Sequence, residues 1–548
     1  MKKGVRFFRF WLIILTGICL ALPGCSKKDA PVAVTGMTVE VANLSLQNDL
    51  YYLLDPADRS IALIFSEPVD TSTLDGNILM TEKSLMADSA CSVKAFGNMV
   101  LFSLNPGTVF KPGWQYVISI TTGLRSESGL ALPATVNLEF RTRLEGLLGS
   151  GNSNRNSILC ISDIHMGDAR AFSGGYCWFS ENAAALDSLL QEVLYRSRVK
   201  QLVILGDLFD EWIVPYSINP FDPQSGISDS REYFLAVAAA PVNAGIIGSL
   251  RAIAGSGVVE LIYIPGNHDM LLTREILTEI IPGITWMGDS TGLGHYVPLP
   301  EMIMEHGHRY DFFNCPQPVT SPGHILPPGY FISRLDAEGL MKQGTSFFKD
   351  TPSVEGNTEF LAAWTAALAY LMIHYNIPLD PDSANIRMGG TDGYQNPLSY
   401  TALTAQYGAN IQDVWPATAA KNGMPVFMPS TVAIVNSATD LYYAASFEYM
   451  ESAVPSRYKI VTFGHTHNAM IRVWPAGKNY TGIYANSGTW VNASLTKKPV
   501  RTFIEIIPAQ WSGSELDLVT LYQYNPDPVH PASGYIPVLL AQESLLAK

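Results

Sequence analysis

Five short apolar runs in this sequence give way at once to clusters of Asp, His and Asn. Ile158-Leu159-Cys160-Ile161 precedes Asp163-Ile164-His165. Leu202-Val203-Ile204-Leu205 precedes Gly206-Asp207, with Asp210 close behind. The run from Val258 to Ile264 precedes Gly266-Asn267-His268-Asp269. The run from Glu301 to Met304 precedes His306-Gly307-His308, and that from Lys459 to Phe463 precedes Gly464-His465-Thr466-His467. Short apolar runs rich in β-branched residues read as buried strands. Open α/β sheets place ligands just past the carboxyl ends of their strands. The pattern therefore demands a fold that aligns these strands and brings their polar ends to one edge of a sheet. Helical stretches lie between the runs. Ser180 is the expected cap of one, whose apolar stripe is Leu186, Leu189, Leu190, Val193 and Leu194. Another is expected within Glu232 to Leu250. Strands alternating with helices make a parallel or mixed α/β layer fold.

The chemistry of the clusters is specific. Carboxylate oxygen, imidazole nitrogen and an amide oxygen together suit divalent Mn, Fe or Zn, with manganese favoured. Two such cations, ~3.5–4 Å apart, need a shared anion to offset their repulsion. Asp207, with two oxygens, is the candidate bridge. A water held by both ions loses its proton near neutral pH and attacks phosphorus in line. His268 is then free to stabilise developing charge or to protonate the leaving oxygen. The formal net charge is −14, which excludes nucleic-acid binding through bulk electrostatics. An acidic chain that handles phosphate needs bound cations locally.

In order, the clusters read Asp-x-His, Gly-Asp-x-x-Asp, Gly-Asn-His-Asp, a lone His and Gly-His-x-His. This series resembles the calcineurin-like metallophosphoesterases over about residues 158–492. The resemblance implies Asp163, His165, Asp207 and His467 on one metal, and Asp207, Asn267, His306 and His465 on the other. It implies His268 as the catalytic histidine with Asp269 orienting it. His306 is preferred to His308 as ligand because Gly307 follows it, as in the family. His308 and Asp210 are expected behind the ligands or against substrate. Asp168, Arg170 and Arg309 are candidates for substrate phosphate, or for structural pairing. His295, His324, His374 and His530 match no block, and packing or surface roles are expected for them. Tyr484-Ala485-Asn486-Ser487-Gly488-Thr489-Trp490 resembles the strand and turn that follow the last histidine pair. Gly206-Asp207-Leu208-Phe209-Asp210-Glu211-Trp212 resembles the pyrophosphatases acting on UDP-2,3-diacylglucosamine. That substrate is not carried over: some of those enzymes have Arg where this chain has His268, and their pathway is cytoplasmic.

The N-terminal portion is organised differently. Lys2, Lys3, Arg6 and Arg9 precede an apolar run from Phe10 to Leu22, too short for a relaxed membrane span of ~20 residues. Leu22-Pro23-Gly24-Cys25 resembles a bacterial lipobox, which implies a signal peptide over 1–24, lipid on Cys25 and a cell-envelope location at the outer or inner membrane. A polar tether (25–35) follows. Short strands and turns fill 36–144, among them Ile61–Phe65, Val100–Leu104, Tyr116–Ile120 and Val136–Phe140, a β-sandwich pattern. Phe65-Ser66-Glu67-Pro68-Val69-Asp70, Leu104-Asn105-Pro106, Tyr116 and Gly123-Leu124 resemble a bacterial Ig-like domain, which implies a spacer without chemistry. A Gly/Ser/Asn-rich linker (145–157) leads into the phosphoesterase domain (158–525), and 526–548 reads as a tail. Residues 315–456 form an insertion with its own structure, a helix from Asn357 to Tyr375 included, set either as a cap over the site or against the outer sheet face. Six cysteines are present, and their spacing assigns no disulfide.

The expected protein is multidomain: an Ig-like sandwich followed by layered β-sheets flanked by helices. Its expected activity is two-metal hydrolysis of a phosphomonoester, phosphodiester or pyrophosphate bond in a small molecule or lipid outside the cytoplasm. The alternative is a non-catalytic envelope binding or adhesion protein on a degenerate phosphoesterase fold.

Overall fold

The computed structural model describes residues 36–44, 46–47, 51–54, 59–82, 87–88, 91–108, 110, 115–142, 155–195, 197–316, 326–343, 385–389, 394, 396–399, 411–424, 432–433, 440–451, 458–477, 480–527 and 534–547. The signal segment, Cys25, the tether, most of the linker and the helix expected from Asn357 to Tyr375 lie outside them.

The N-terminal domain is a sandwich of two sheets. One orders Val39–Val41, Ser60–Phe65, Met99–Leu104 and Cys91–Phe96. The other orders Leu46–Gln47, Tyr51–Leu54, Val136–Thr142, Gln115–Ile120, Ile78–Glu82 and Ala87–Asp88. The four expected strands are all present. Alternate residues turn inward, so Ile61, Leu63, Phe65, Val100 and Phe102 meet Met80, Ile118, Ile120 and Phe140 in one core.

The second domain stacks two further sheets. The first sheet contains β1 (Ser157–Ile161), β2 (Val199–Leu205), β3 (Glu260–Ile264) and β4 (Thr285–Trp286). The second contains β5 (His295–Leu299), β6 (Met302–Glu305), β7 (Ile460–Phe463), β8 (Met470–Trp474) and β9 (Gly482–Asn486). Three later strands, β10 (Thr502–Ile507), β11 (Leu516–Pro526) and β12 (Tyr535–Leu546), return to the first sheet. Its order is β4-β3-β2-β1-β10-β11-β12, parallel from β1 to β4 and antiparallel beyond β1. The second sheet runs β5-β6-β7-β9-β8, with β6, β7 and β9 parallel.

Period-two burial explains the layering. Ile158, Cys160, Val203, Leu205, Ile262 and Ile264 point toward the second sheet, where Met302, Met304, Ile460, Ile483 and Ala485 meet them. Leu159, Ile161, Leu202, Ile204, Leu261 and Tyr263 point the other way, onto the helices α2 (Ala183–Tyr195), α3 (Ser230–Ala239), α4 (Pro241–Gly255) and α5 (Arg274–Ile280), while the short α1 (Ala169–Gly174) buries Ala171 in a separate cluster with Tyr176, Trp178 and Ile213. The outer face of the second sheet, with Ile303, Val461, Phe463 and Tyr484, is covered by the insertion. There α6 (Pro328–Gln343) contributes Tyr330, Phe331 and Leu335, and α7 (Ile411–Lys421) contributes Trp415. Both faces of each sheet are thus covered in the middle strands, which is why their sequences read as unbroken apolar runs.

Three expectations change. The polar clusters come from strands of two facing sheets, not from one sheet edge. The segment 526–548 is no tail: Tyr535–Leu546 pairs along the length of Leu516–Pro526. It is an edge strand, where Pro537 is tolerated and alternate residues such as Ile536 and Val538 stay exposed. Ser180 does not cap α2 with its hydroxyl; its Oγ and backbone NH turn instead to Asn492 Oδ1, at 3.5 and 2.7 Å. The stripe expected on that helix is buried as read.

Candidate metal centre

Each of the five parallel strands β1, β2, β3, β6 and β7 ends at the same place. The loops leaving β1 and β2 are laced together: Ile164 and His165 donate their NH groups to Asp207 O (2.8 and 3.0 Å), and Met166 donates to Leu208 O (3.0 Å). Gly206 stands at φ +85°, and a Cβ there would lie 2.6 Å from His306 Nδ1 and 2.7 Å from Gly266 Cα. At Gly266 a Cβ would lie 2.1 Å from Asp207 Oδ1. Only glycine lets β2, β3 and β6 deliver their side chains this close together.

Asp163, His165, Asp207, His465 and His467 all have left-handed backbones, with φ between 53° and 71°. Arg501 is the one other non-glycine residue among those described with this conformation. Each such residue costs of order 1–3 kcal/mol, and such strain persists where the surrounding structure imposes it. It gathers here on the side chains that the strand ends aim inward.

The donors converge. His467 Nε2 lies 3.2 Å from Asp163 Oδ1 and 3.0 Å from His165 Nε2. His165 Nε2 lies 3.8 Å from Asp207 Oδ2. His306 Nε2 lies 3.2 Å from the same Asp207 oxygen and 3.0 Å from Asn267 Oδ1, which is 2.9 Å from His465 Nδ1. Asp207 belongs to two of the three ligand groups that these atoms form: with His165 and His268, and with Asp163 and His306. Its other oxygen accepts the His268 backbone NH at 2.8 Å.

Three histidines are anchored from behind. His165 Nδ1 donates to Asp210 Oδ2 (2.9 Å), His306 Nδ1 donates to Leu205 O (2.5 Å) and His465 Nε2 donates to Asp311 Oδ2 (3.2 Å). A histidine so anchored presents its other nitrogen as a lone pair, and these nitrogens face carboxylate, amide oxygen or another imidazole. Asp163 Oδ1 is buried without a hydrogen-bond partner. Acceptors packed against acceptors in this way fit a cation as their common partner, so the residues suit the divalent ions that the donor set implies. The field has the matching sign. Despite burial, the Asp207 carboxyl is held well below its usual range and lifts His306 to about 9, so positive charge is favoured beside Asp207, and a bound cation would take the place of the proton on His306.

His268 stands beside this cluster. Its Nδ1 is 3.2 Å from both oxygens of Asp210, its ring stacks on Trp212 at 4.6 Å, and it meets His165 edge-on at 4.5 Å. Asp210 also accepts the NH groups of Trp212 and Ile213 at 2.8 Å. Burial works against its charge, yet His268 and His165 hold it down to about 2. The carboxylate on the His268 ring is thus Asp210, and the expectation for Asp269 is corrected. Asp269 accepts from the backbone NH groups of Gly266 and Leu208 and from Tyr263 Oη, which fixes the loop and not the ring. Buried beside Asp207, Asp269 is raised to about 6.

Other candidates leave the site. Arg309 pairs with Glu305 at 3.0 Å and lies over the Tyr310 ring, buried under Tyr449 and Glu448 of the insertion. Asp168 caps α1 and pairs with Arg170 at 2.6 Å; Arg170 then donates to Pro220 O at 2.9 Å. His308 is buried beside His306, donating from Nε2 to Gly292 O at 3.1 Å. His295 is exposed on β5, and His324, His374 and His530 lie outside the described residues. Sequence reasoning missed Lys498, an exposed cation whose Nζ donates to Thr466 O between His465 and His467 at 2.5 Å. It follows every motif, and no local signal marks it.

No curated protein matches this chain. Among solved structures, the surface layer protein SbsC (domains 1-6) is 21% identical over 21% of this chain and 16% of that one, with a TM-score of 0.14. Pseudomonas putida nuclease MPE is 20% identical over 28% of this chain and 54% of that one, at a TM-score of 0.16. Chitinase ChiW from Paenibacillus sp. is 9% identical over 47% of this chain and 27% of that one, at 0.19. The chain spans about half or less of each of these proteins, and such partial overlaps carry no argument. Two family models match directly. Residues 52–142 match the bacterial Ig-like domain, and residues 157–371 match the calcineurin-like phosphoesterases. The second match takes in β1 to β6 and stops inside the insertion, before His465 and His467. This chain therefore carries a calcineurin-like phosphoesterase domain behind a bacterial Ig-like domain.

Proposed function

We propose that the chain is a two-metal phosphoesterase of the cell envelope, hydrolysing a phosphomonoester, phosphodiester or pyrophosphate bond in a small molecule or lipid. The observation that carries this reading is the position of Asp207 between two groups of buried donors. Asp163, His165, Asp207 and His467 would hold one divalent ion; Asp207, Asn267, His306 and His465 would hold the other. When bound, Mn, Fe or Zn supplies Lewis-acid activation of water and of phosphoryl oxygens. The protein supplies the rest. Asp210 fixes the tautomer and plane of His268 through Nδ1, so that Nε2 serves the proton of the leaving oxygen. Trp212, stacked on the ring, keeps that face dry. Lys498 is the cation set to meet a substrate anion at the rim.

Elemental analysis of purified protein should find two transition ions per chain. Chelation should abolish turnover of bis-p-nitrophenyl phosphate, and Mn2+ should restore it. A chain that binds no metal and turns over no phosphoester is the non-catalytic envelope protein instead.

The envelope location rests on the basic and apolar residues 1–24, on Cys25 after Gly24, and on the Ig-like domain. Cys25→Ala should move the protein from the membrane fraction to the soluble fraction of its host. Wild-type protein that is already soluble rules out the anchor.

A further inference from the structure

The turn after His306 holds a carboxylate and an amide that no part of the proposed reaction uses. Asp311 is almost fully buried, at 1% exposure. Its Oδ1 accepts the Phe313 NH at 2.8 Å, and its Oδ2 faces His465 Nε2 at 3.2 Å and accepts from Asn314 Nδ2. Asn314 Oδ1 in turn accepts from Asn267 Nδ2 at 3.4 Å. The chain of contacts runs His465–Asp311–Asn314–Asn267 and closes where Asn267 Oδ1 meets His465 Nδ1 at 2.9 Å.

This ring settles two orientations at once. An asparagine amide can present either its oxygen or its nitrogen to a site. With Nδ2 donated to Asn314, Asn267 turns its oxygen toward His306 and His465. An imidazole likewise has two tautomers, and a carboxylate on Nε2 selects the one that leaves Nδ1 as a lone pair. We infer that Asp311 and Asn314 are positioning residues for one of the two metal sites, the one built from Asn267, His306 and His465, and set its affinity without touching the ion.

The inference rests on the two-metal reading and goes beyond it. It assigns the site a dependence on the insertion, because the same turn is held by α6: Gly329 donates its NH to Phe313 O at 2.7 Å, and a Cβ on Gly329 would lie 2.5 Å from Asn314 Oδ1. The other site has its own outer carboxylate, Asp210, and shares none of these contacts. Outer partners of metal-binding histidines typically change affinity by about 10–100-fold when removed.

The test titrates Co2+ into chelator-treated full-length protein, following visible absorption and heat. Wild type should bind two equivalents. Asp311→Asn should bind the first as wild type does and the second about 10–100-fold more weakly, with an altered absorption band for that equivalent. Asn314→Ala, which leaves the buried carboxylate in place, should weaken the same equivalent. Two wild-type equivalents in both variants overturn the inference, as does equal weakening of both equivalents, which marks a general structural defect. A wild type that binds no Co2+ overturns the two-metal reading as well.

Discussion

Asp207→Asn should lower turnover of bis-p-nitrophenyl phosphate by about a thousand-fold or more, equivalent to about 4 kcal/mol of transition-state stabilisation. The substitution keeps the side chain's shape and its contact with the His268 backbone NH, so the loop geometry survives. What it removes is the negative charge that His165 and His306 both face, at 3.8 and 3.2 Å. Two cations at this spacing would then repel without a shared anion, and elemental analysis should find fewer than two ions per chain. His268→Ala offers the contrast. It should retain both ions while kcat falls by about 10²–10⁴-fold, the usual range for a general acid. Full activity in Asp207→Asn protein reloaded with Mn2+ would refute the bridging role. Loss of ions from His268→Ala protein would place that histidine among the ligands.

Arg334→Met should destabilise the docking of the insertion by about 3–5 kcal/mol. The Arg334 guanidinium is fully buried. It donates to the carbonyls of Val214, Pro215, Ile218 and Arg387 and to the Tyr330 hydroxyl. It therefore ties α6 to the loop just after Trp212 and to the strand Asn385–Ile386 that precedes Arg387. Methionine fills much of the volume but leaves several buried acceptors unpaired, and unpaired buried acceptors cost about 1–3 kcal/mol each. The sheets carry their own cores and should hold. Limited proteolysis should then cut the insertion while β1 to β4 stay intact, with an early unfolding step in the thermal profile. A wild-type digestion pattern would show that Arg334 contributes little to docking.

The candidate ligand residues were legible because each follows a run that is apolar on both faces, and glycine marks the turn before four of the clusters or within them. The partition of strands into two sheets was not legible. A strand covered on both faces reads the same in either sheet, and only the crossings between β4 and β5 and after β9 separate them. Asp269 was misread because it adjoins His268 in sequence; in the turn its carboxylate points back to the NH groups of Gly266 and Leu208. Asp210, three residues past Asp207, reaches the ring instead. Arg309 looked available because its neighbours are polar. Its partners Glu448 and Tyr449 lie about 140 residues downstream, beyond the reach of any local pattern. The role of the 311–314 turn was equally hidden, since Asp311 meets its histidine across 154 positions.

The placement of β7 after the insertion has a consequence for how the chain reaches its native state. Asp163 and His465 are joined through the His465 NH at 3.0 Å across 302 positions. Closing so long a loop costs entropy that no local contact returns, and non-local pairings of this kind slow folding. Synthesis proceeds from the N-terminus. Asp163, His165, Asp207, Asn267 and His306 therefore exist while the second sheet is only the β5–β6 pair, and the whole insertion must emerge before β7 can dock beside β6. The donor cluster is a late product of folding, completed only when β7 docks beside β6 and brings His465 and His467 to the strand ends. A chain broken off inside the insertion would keep five of the seven donors and lack β7 with His465 and His467 behind it.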